Sequence, residues 1–345
     1  MPVRLGFLGA GLVARIHSRS LSAVGDRVAW SGVFDPDPAR AARFAAETGA
    51  AVCRDASEVL DRSDAVYVCS WTSEHAGLVG AAADAGLPIY CEKPLATSLA
   101  QAEEMTRRVS QAGVVNQAGL VLRHSPAFRW LRRLLDAPES GRLMAVSFRD
   151  DQFLPLGGYY DSTWRADPAR AGAGVLLEHS IHDVDILEFL AGPVAGVGCR
   201  TGSVHGIAGI EDVATASFRF ESGVSGTLTT VWHDILERPN ERRVEVFCEN
   251  LWCVLDGNHH SGPVHWRWGG GPVRTAEGAD LLPLLGSRLV EDANPDAAFV
   301  RSVEEGRPAY PDFTIALRAH QVVDAAYRSA ASDGRPVEVP TGRRD

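Results

Sequence analysis

The sequence has no Cys-x-x-Cys pair, no internal repeat, no low-complexity tract and no apolar run approaching the ~20 residues needed to span a bilayer. Its six cysteines, at 53, 69, 91, 199, 248 and 253, follow no regular spacing. A chain of 345 residues does not need disulfides to hold its core, so these read as scattered core thiols in a reducing compartment. Positive charge is also in deficit. Lys and Arg total 34 against 44 Asp and Glu, a formal net charge of -10. Such a surface repels nucleic-acid backbones and anionic membranes as main partners. It still permits an anionic cofactor, because the dipoles at a helix N-terminus hold phosphate on an acidic protein. Leu5 to Ala14, behind Arg4, resembles a signal peptide only superficially. Three glycines interrupt it, and Arg15, His17 and Arg19 stand where small residues should. A cytoplasmic protein is expected.

What remains is an ordinary globular balance, 45% hydrophobic and 23% charged, with length enough for two domains. In the first 121 residues, short apolar runs (3–8, 28–34, 65–69, 87–91, 114–117) alternate with helix-like segments (12–24, 38–48, 73–85, 98–111). That alternation implies right-handed crossovers and a doubly wound parallel sheet. From residue 122 to 345 the pattern changes. Helices are expected over 126–135 and 177–190, with strands over 143–150, 194–201, 212–220, 225–232, 243–248 and 251–255. Successive strands joined by short Gly- or Asn-bearing turns predict an α+β domain with an antiparallel sheet. Helices over 291–305 and 313–331 close the chain, and 259–275 shows no clear period.

Gly9-Ala10-Gly11-Leu12-Val13-Ala14 fits a dinucleotide fingerprint, directly after an expected strand and opening an expected helix. Gly9 permits the tight turn, Gly11 lets backbone approach a pyrophosphate, and Ala14 keeps helix and strand close. A ligand-free glycine turn is the alternative, but Asp35 ends the second strand 24 residues beyond Gly11. A carboxylate there accepts from the ribose hydroxyls and repels a 2′-phosphate, which favours NAD over NADP; Arg40 is the counter-signal. The expected cofactor contacts are Gly9, Gly11, Leu12, Val13, Ala14, Asp35, Arg40, Ser70, Trp71, His75, Glu92 and Lys93.

Glu92-Lys93-Pro94 follows the fourth expected strand, at the strand end where ligands bind in open parallel sheets. An ammonium at Lys93 would stabilise a developing alkoxide; a solvated surface lysine is the alternative. Further on, Glu178, His182 and Asp185 would share one face of a continuous helix, with His179 a quarter-turn away. Carboxylate, imidazole and carboxylate in one line would orient a histidine for proton transfer. The same cluster could be purely structural, or could be read as metal ligands. Its spacing matches no zinc helix signature, and no metal is expected.

Together these segments resemble the glucose–fructose oxidoreductase / inositol dehydrogenase-like (Gfo/Idh/MocA) family. The matching pieces are the fingerprint, Ser73-Glu74-His75, Ala85-Gly86-Leu87-Pro88 leading into Glu92-Lys93-Pro94, and Gly172-Ala173-Gly174 leading into Glu178 and His182. The last are Ala298-Phe299 and Ala325 to Ser329. The resemblance implies a Rossmann domain joined to an α+β domain with a large open, mostly antiparallel sheet, one face of which forms homodimers or homotetramers. It implies catalytic roles for Lys93, His182 and Glu178. Many members have Asp at the acid and Gly where Ser180 stands, so Glu178 reaches one methylene further and could position His182 or a substrate hydroxyl instead.

The activity implied is hydride transfer between NAD(H) and a CH–OH or C=O carbon of a sugar, aminosugar or cyclitol. Lys93, Arg123, Tyr159, Trp164, Arg165, His182 and His233, with Asp161 and Asp234, are candidate substrate contacts. An NAD-dependent glycosidase acting by transient sugar oxidation is the rival within catalysis. A non-catalytic NAD-binding sensor or scaffold is the rival outside it, though a sensor needs neither Lys93 nor His182.

Overall fold

The computed structural model describes residues 1–157, 160, 162–235, 237, 239–258, 261–286 and 292–340. Tyr159 and Asp161 lie outside the described residues. Six strands pair in parallel: β1 (Val3–Leu8), β2 (Val28–Phe34), β3 (Ala51–Val52), β4 (Ala65–Val68), β5 (Ile89–Cys91) and β6 (Asn116–Ala118), in the order β3-β2-β1-β4-β5-β6. Every residue of β4 is buried, which is what a parallel strand covered on both faces requires. Between them run α1 (Leu12–Ser22), α2 (Pro38–Thr48), α3 (Ala56–Arg62), α4 (His75–Asp84) and α5 (Leu99–Ala112).

Local chemistry fixes their ends. Asp37 caps α2 by accepting from the Ala39 N–H, with Pro38 in the first turn, and Gly49 ends it at φ 83°. Two elements of this first domain have no counterpart in the apolar pattern: the two-residue strand β3, and α3, which Asp55 starts by accepting from the Glu58 N–H. The strand order reverses between β1 and β4, so a crevice opens there at the carboxyl ends of the strands.

The second sheet has nine strands: β7 (Leu143–Phe153), β8 (Val194–Gly202), β9 (Val213–Phe220), β10 (Ser225–His233), β11 (Glu241–Cys248), β12 (Leu251–Asn258), β13 (Gly262–Trp268), β14 (Arg274–Ala276) and β15 (Val337–Glu338). Their order is β14-β13-β12-β11-β7-β10-β9-β8-β15, antiparallel throughout except for the β7–β10 pair. The stretch without clear period contains β13 and the start of β14. Val264 and Trp266 are buried there and Trp268 packs against the same core, but outward positions carry Pro263 and His265, and glycines crowd the flanks, so the alternation is masked.

One face of this sheet packs on α6 (Pro126–Leu135) and later helices, burying Phe128, Phe148, Leu187 and Trp232 in one core. The other face leaves Ser147, Arg149, Thr215, Ser217 and Thr227 exposed.

The helix expected over 177–190 is corrected by the structure. After α7 (Pro168–Ala171), α8 (Val175–Glu178) and α9 (Ile181–Ala191) are separate, with the break at His179 (φ -119°, ψ -60°) and Ser180 (φ -80°, ψ 5°). Both residues are tied to the sheet: Ser180 Oγ donates to Thr230 Oγ1 at 2.6 Å, and His179 Nε2 lies 2.6 Å from Asp150 Oδ2. Those anchors outweigh continuation of the helix, a tertiary effect that periodicity does not carry.

After α10 (Leu281–Leu285), the chain returns to the first domain. The helix expected from residue 291 begins instead at Pro295, capped by Asn294, as α11 (Pro295–Glu305); Glu291 lies outside the described residues. Phe299 and Val300 of α11 join Phe7, Tyr67 and Tyr90 in one cluster. Phe313 and Ala316 of α12 (Phe313–Ala331) join Val66, Val68 and Met105 in another. No helix among the described residues is long and apolar enough to cross a membrane.

Candidate active site

The switch-point crevice is a cleft of about 680 Å³, lined at one end by Gly9 to Val13 and Asp35, and at the other by Glu92, Lys93, Trp164 and Arg165. Its first end is built for a dinucleotide. Gly9 adopts φ 102°, and a β-carbon there would stand 2.6 Å from the Cys69 carbonyl oxygen, so only glycine fits. Around Gly11, by contrast, nothing lies within 4 Å of where a β-carbon would be. That opening sits over the start of α1, where Gly11 offers no side-chain cap and leaves the helix N–H groups to a ligand. Ala14 is fully buried. Asp35 Oδ2 accepts from the Ala10 N–H and Oδ1 from the Asp37 N–H, both at 2.8 Å, which fixes the carboxylate beside the cleft. Arg40 also borders the cleft and pairs with Asp37 at 3.5 Å. These residues fit a dinucleotide.

The second end is assembled across the two domains. The Lys93–Pro94 peptide is cis. Two histidines brace the turn from behind. His75 spans the Pro94 carbonyl (Nδ1, 3.0 Å) and the Ser70 carbonyl (Nε2, 3.3 Å), and His320 Nε2 accepts from the Leu95 N–H at 3.1 Å. Burial pushes both imidazoles down, His320 to about 3. Lys93, the sole lysine of the chain, donates from Nζ to the Glu178 carbonyl oxygen at 2.5 Å. Burial lowers its pKa; Glu178 and Glu92 oppose that shift, while Arg165 and Arg242 add to it.

Glu178 is itself committed. Its Oε1 accepts from Thr72 Oγ1 at 2.6 Å and its Oε2 from Arg165 Nε at 3.2 Å, with the side chain 1% exposed. Arg165 stacks on Trp164 (4.3 Å to the ring centroid), and Arg170 of α7 lies 3.9 Å over Trp71. The second domain therefore roofs the cleft through guanidinium–aromatic contacts.

The expected line of Glu178, His182 and Asp185 does not form, because the helix break turns Glu178 away from α9. His182 lies buried in the first turn of α9. Asp185 instead holds Arg123 with two-pronged bonds of 2.7–2.9 Å, and Arg123 also donates to the Tyr310 hydroxyl at 2.7 Å. His233 is buried at the end of β10, its Nδ1 accepting from the Ile235 N–H at 3.2 Å, whereas Asp234 is exposed.

His179, Asp150 and Asp183 bring three ligand atoms within 4.8 Å of one another, a grouping that could hold a metal. A guanidinium already occupies that place. Arg242 donates to Asp183 Oδ1 at 3.0 Å, lies 3.1 Å from Asp150 Oδ2, and stands 2.9 Å from His179 Nε2. Burial, with Asp150 close by, raises the Asp183 pKa to about 7, and burial and Arg242 keep His179 neutral. Thr72, Tyr160, Ser162, His17 and His320 were missed by sequence reasoning. Each comes from a loop or a distant helix, and no local pattern connects it to the site.

Residues 3–120 match the model of the Gfo/Idh/MocA oxidoreductase family, NAD-binding Rossmann fold, and residues 128–254 match the family's C-terminal domain. The chain belongs to the Gfo/Idh/MocA family. Its first domain is the family's NAD-binding Rossmann domain. Among curated relatives, a 1,5-anhydro-D-fructose reductase of Ensifer adhaerens is 31% identical over 98% of this chain and 99% of its own length. An inositol 2-dehydrogenase of Rhizobium meliloti is 28% identical over 96% and 98%. Among solved structures, levoglucosan dehydrogenase in complex with NADH and levoglucosan superposes with a TM-score of 0.89 at 21% identity, covering 99% of this chain and all of that one. At that identity the likeness establishes the fold.

Proposed function

We propose that this Gfo/Idh/MocA oxidoreductase moves a hydride between NAD(H) and a CH–OH or C=O carbon of a sugar, aminosugar or cyclitol. The observation that carries the reading is the Lys93 ammonium, half-buried at the inner end of a dinucleotide cleft with its proton affinity lowered. The names of the relatives, a sugar-derivative reductase and an inositol dehydrogenase, support the substrate class.

When bound, NAD(H) supplies the hydride acceptor or donor. Gly9, Gly11 and the start of α1 would hold its pyrophosphate, and Asp35 its adenosine ribose. Lys93 hydrogen-bonds the reacting oxygen and steadies its charge. His182 takes or gives the hydroxyl proton. Glu178, with its carboxylate held by Thr72 and Arg165 and its carbonyl by Lys93, positions the amine rather than exchanging a proton. Trp164 and Arg165 present an apolar face and a donor to the polyol. The open face of the nine-stranded sheet is the surface through which two copies would pair.

Turnover of Lys93→Ala and His182→Ala with NAD+ tests the assignment. Each is expected to lose at least about a hundredfold in kcat. Near-full activity in either removes that residue from the chemistry.

A further inference from the structure

Behind the Glu-Lys-Pro turn lies a buried charge triad that the hydride chemistry leaves unused. His17 of α1 places Nε2 3.0 Å from Glu92 Oε1 and Nδ1 2.7 Å from Asp296 Oδ1. A ring bonded to carboxylates through both nitrogens needs both N–H groups, so it is an imidazolium. Burial alone would drive its pKa down, but Asp296 and Glu92 overcome that and raise it to about 10. Tyr67 and Tyr90 wall it in, with ring centroids 5.4 and 4.8 Å away.

Glu92 is the member that reaches the cleft. One carboxylate oxygen is anchored on His17; among the described residues nothing is hydrogen-bonded to the other, and the residue borders the cleft beside Lys93. The rotamer depends on Gly119, where a β-carbon would stand 2.4 Å from Glu92 Oε1. Two carboxylates and one imidazolium leave the triad with a net negative charge, embedded in an apolar and aromatic wall where charge is weakly screened. Lys93 opposes this field, but burial loosens its hold on its proton.

Asp35 marks the adenosine end of the cleft, so Glu92 stands at the nicotinamide end. The nicotinamide ring is cationic when oxidised and neutral when reduced, and a fixed negative charge acts on those two states unequally. We propose that the Glu92–His17–Asp296 triad makes the cleft prefer the oxidised cofactor, with Glu92 as the triad's charge nearest the ring and His17 as the positioning residue that fixes its carboxylate at the cleft's border. This rests on the NAD reading above and extends it to the redox state of the cofactor.

The test needs no substrate. The full chain is titrated with NADH by fluorescence and with NAD+ by displacement of NADH, as wild type, Glu92→Gln and His17→Gln. Glu92→Gln keeps the shape and removes the charge. It is expected to weaken NAD+ about tenfold while NADH moves by about twofold at most. His17→Gln removes the one positive member of the triad and keeps both carboxylates, so the ratio of the two dissociation constants is expected to move the opposite way, toward NAD+. If His17→Gln fails to fold, Glu92→Gln decides alone. Equal loss of both cofactors in Glu92→Gln, or an unchanged ratio, overturns the proposal. Absence of binding by the wild type to either cofactor would instead remove the NAD reading itself.

Discussion

Lys93 Nζ donates to the carbonyl oxygen of Glu178 at 2.5 Å, and this bond joins the Rossmann domain to the second domain at the inner end of the cleft. It aims the only amine side chain of the protein without using a carboxylate, so the ammonium keeps two further N–H groups for a reacting oxygen. The Glu178 side chain meanwhile ties Thr72 to Arg165. One residue thus serves both the amine and the roof of the site.

The burial of Lys93 gives the first prediction. Because it is the sole lysine, protein grown with ¹⁵N-labelled lysine shows one side-chain signal. Its pH titration is expected to fall below the ordinary lysine value, since desolvation disfavours the ammonium more than Glu178 and Glu92 support it. A midpoint at the ordinary value would mean that water reaches the amine freely.

Glu178→Ala should destabilise the protein by about 3 kcal/mol, because it strands Arg165 and the Thr72 hydroxyl at a largely dry interface. Glu178→Gln keeps the acceptor for Thr72 and should cost less. Denaturant unfolding of wild type and the two variants measures this; equal stabilities of the two variants would show that the Thr72 hydrogen bond contributes nothing, and wild-type stability in Glu178→Gln would show the same of the ion pair.

His17 makes stability depend on alkaline pH. Its pKa is raised from 6.5 to about 10 in the folded state, so its contribution is fully present below 6.5 and is lost as pH rises through about 10. The upper bound is about 5 kcal/mol, reduced by the coupling of three buried charges. Wild-type stability should fall across that window, and the fall should be absent in His17→Gln. A parallel decline in both proteins would assign the effect to other groups.

Asp35 should set cofactor choice. With its carboxylate held by two backbone N–H groups at 2.8 Å, Asp35→Ser is expected to weaken NAD+ about tenfold and to improve NADP+, helped by Arg40 at the same end of the cleft. Binding titrations with both nucleotides check this; unchanged selectivity would remove Asp35 from ribose recognition.

The parts of the site that follow from local pattern were legible in the sequence. The glycine turn at Gly9 to Ala14, the acid at Asp35 and the strand-end position of Lys93 each depend on a few adjacent residues. What escaped depends on distant partners. The break between α8 and α9 comes from Asp150 and Thr230 gripping His179 and Ser180, so a helix with good periodicity is split and Glu178 faces the first domain. Likewise Arg123, a candidate for the substrate, is held by Asp185 and Tyr310, and His17 finds Asp296 across 279 positions of sequence. Weak alternation hid β13, where Pro263 and His265 stand on the outward face between the buried positions.

The most direct measurement follows the NADH absorbance band while purified protein is incubated with NAD+ and each member of a panel of inositols, hexoses and aminosugars. NADH is expected to accumulate over many turnovers with at least one polyol, and the signal to disappear in Lys93→Ala. Release of free sugar from a glycoside with no net NADH, or tight NAD+ binding with no turnover of any polyol, would contradict it.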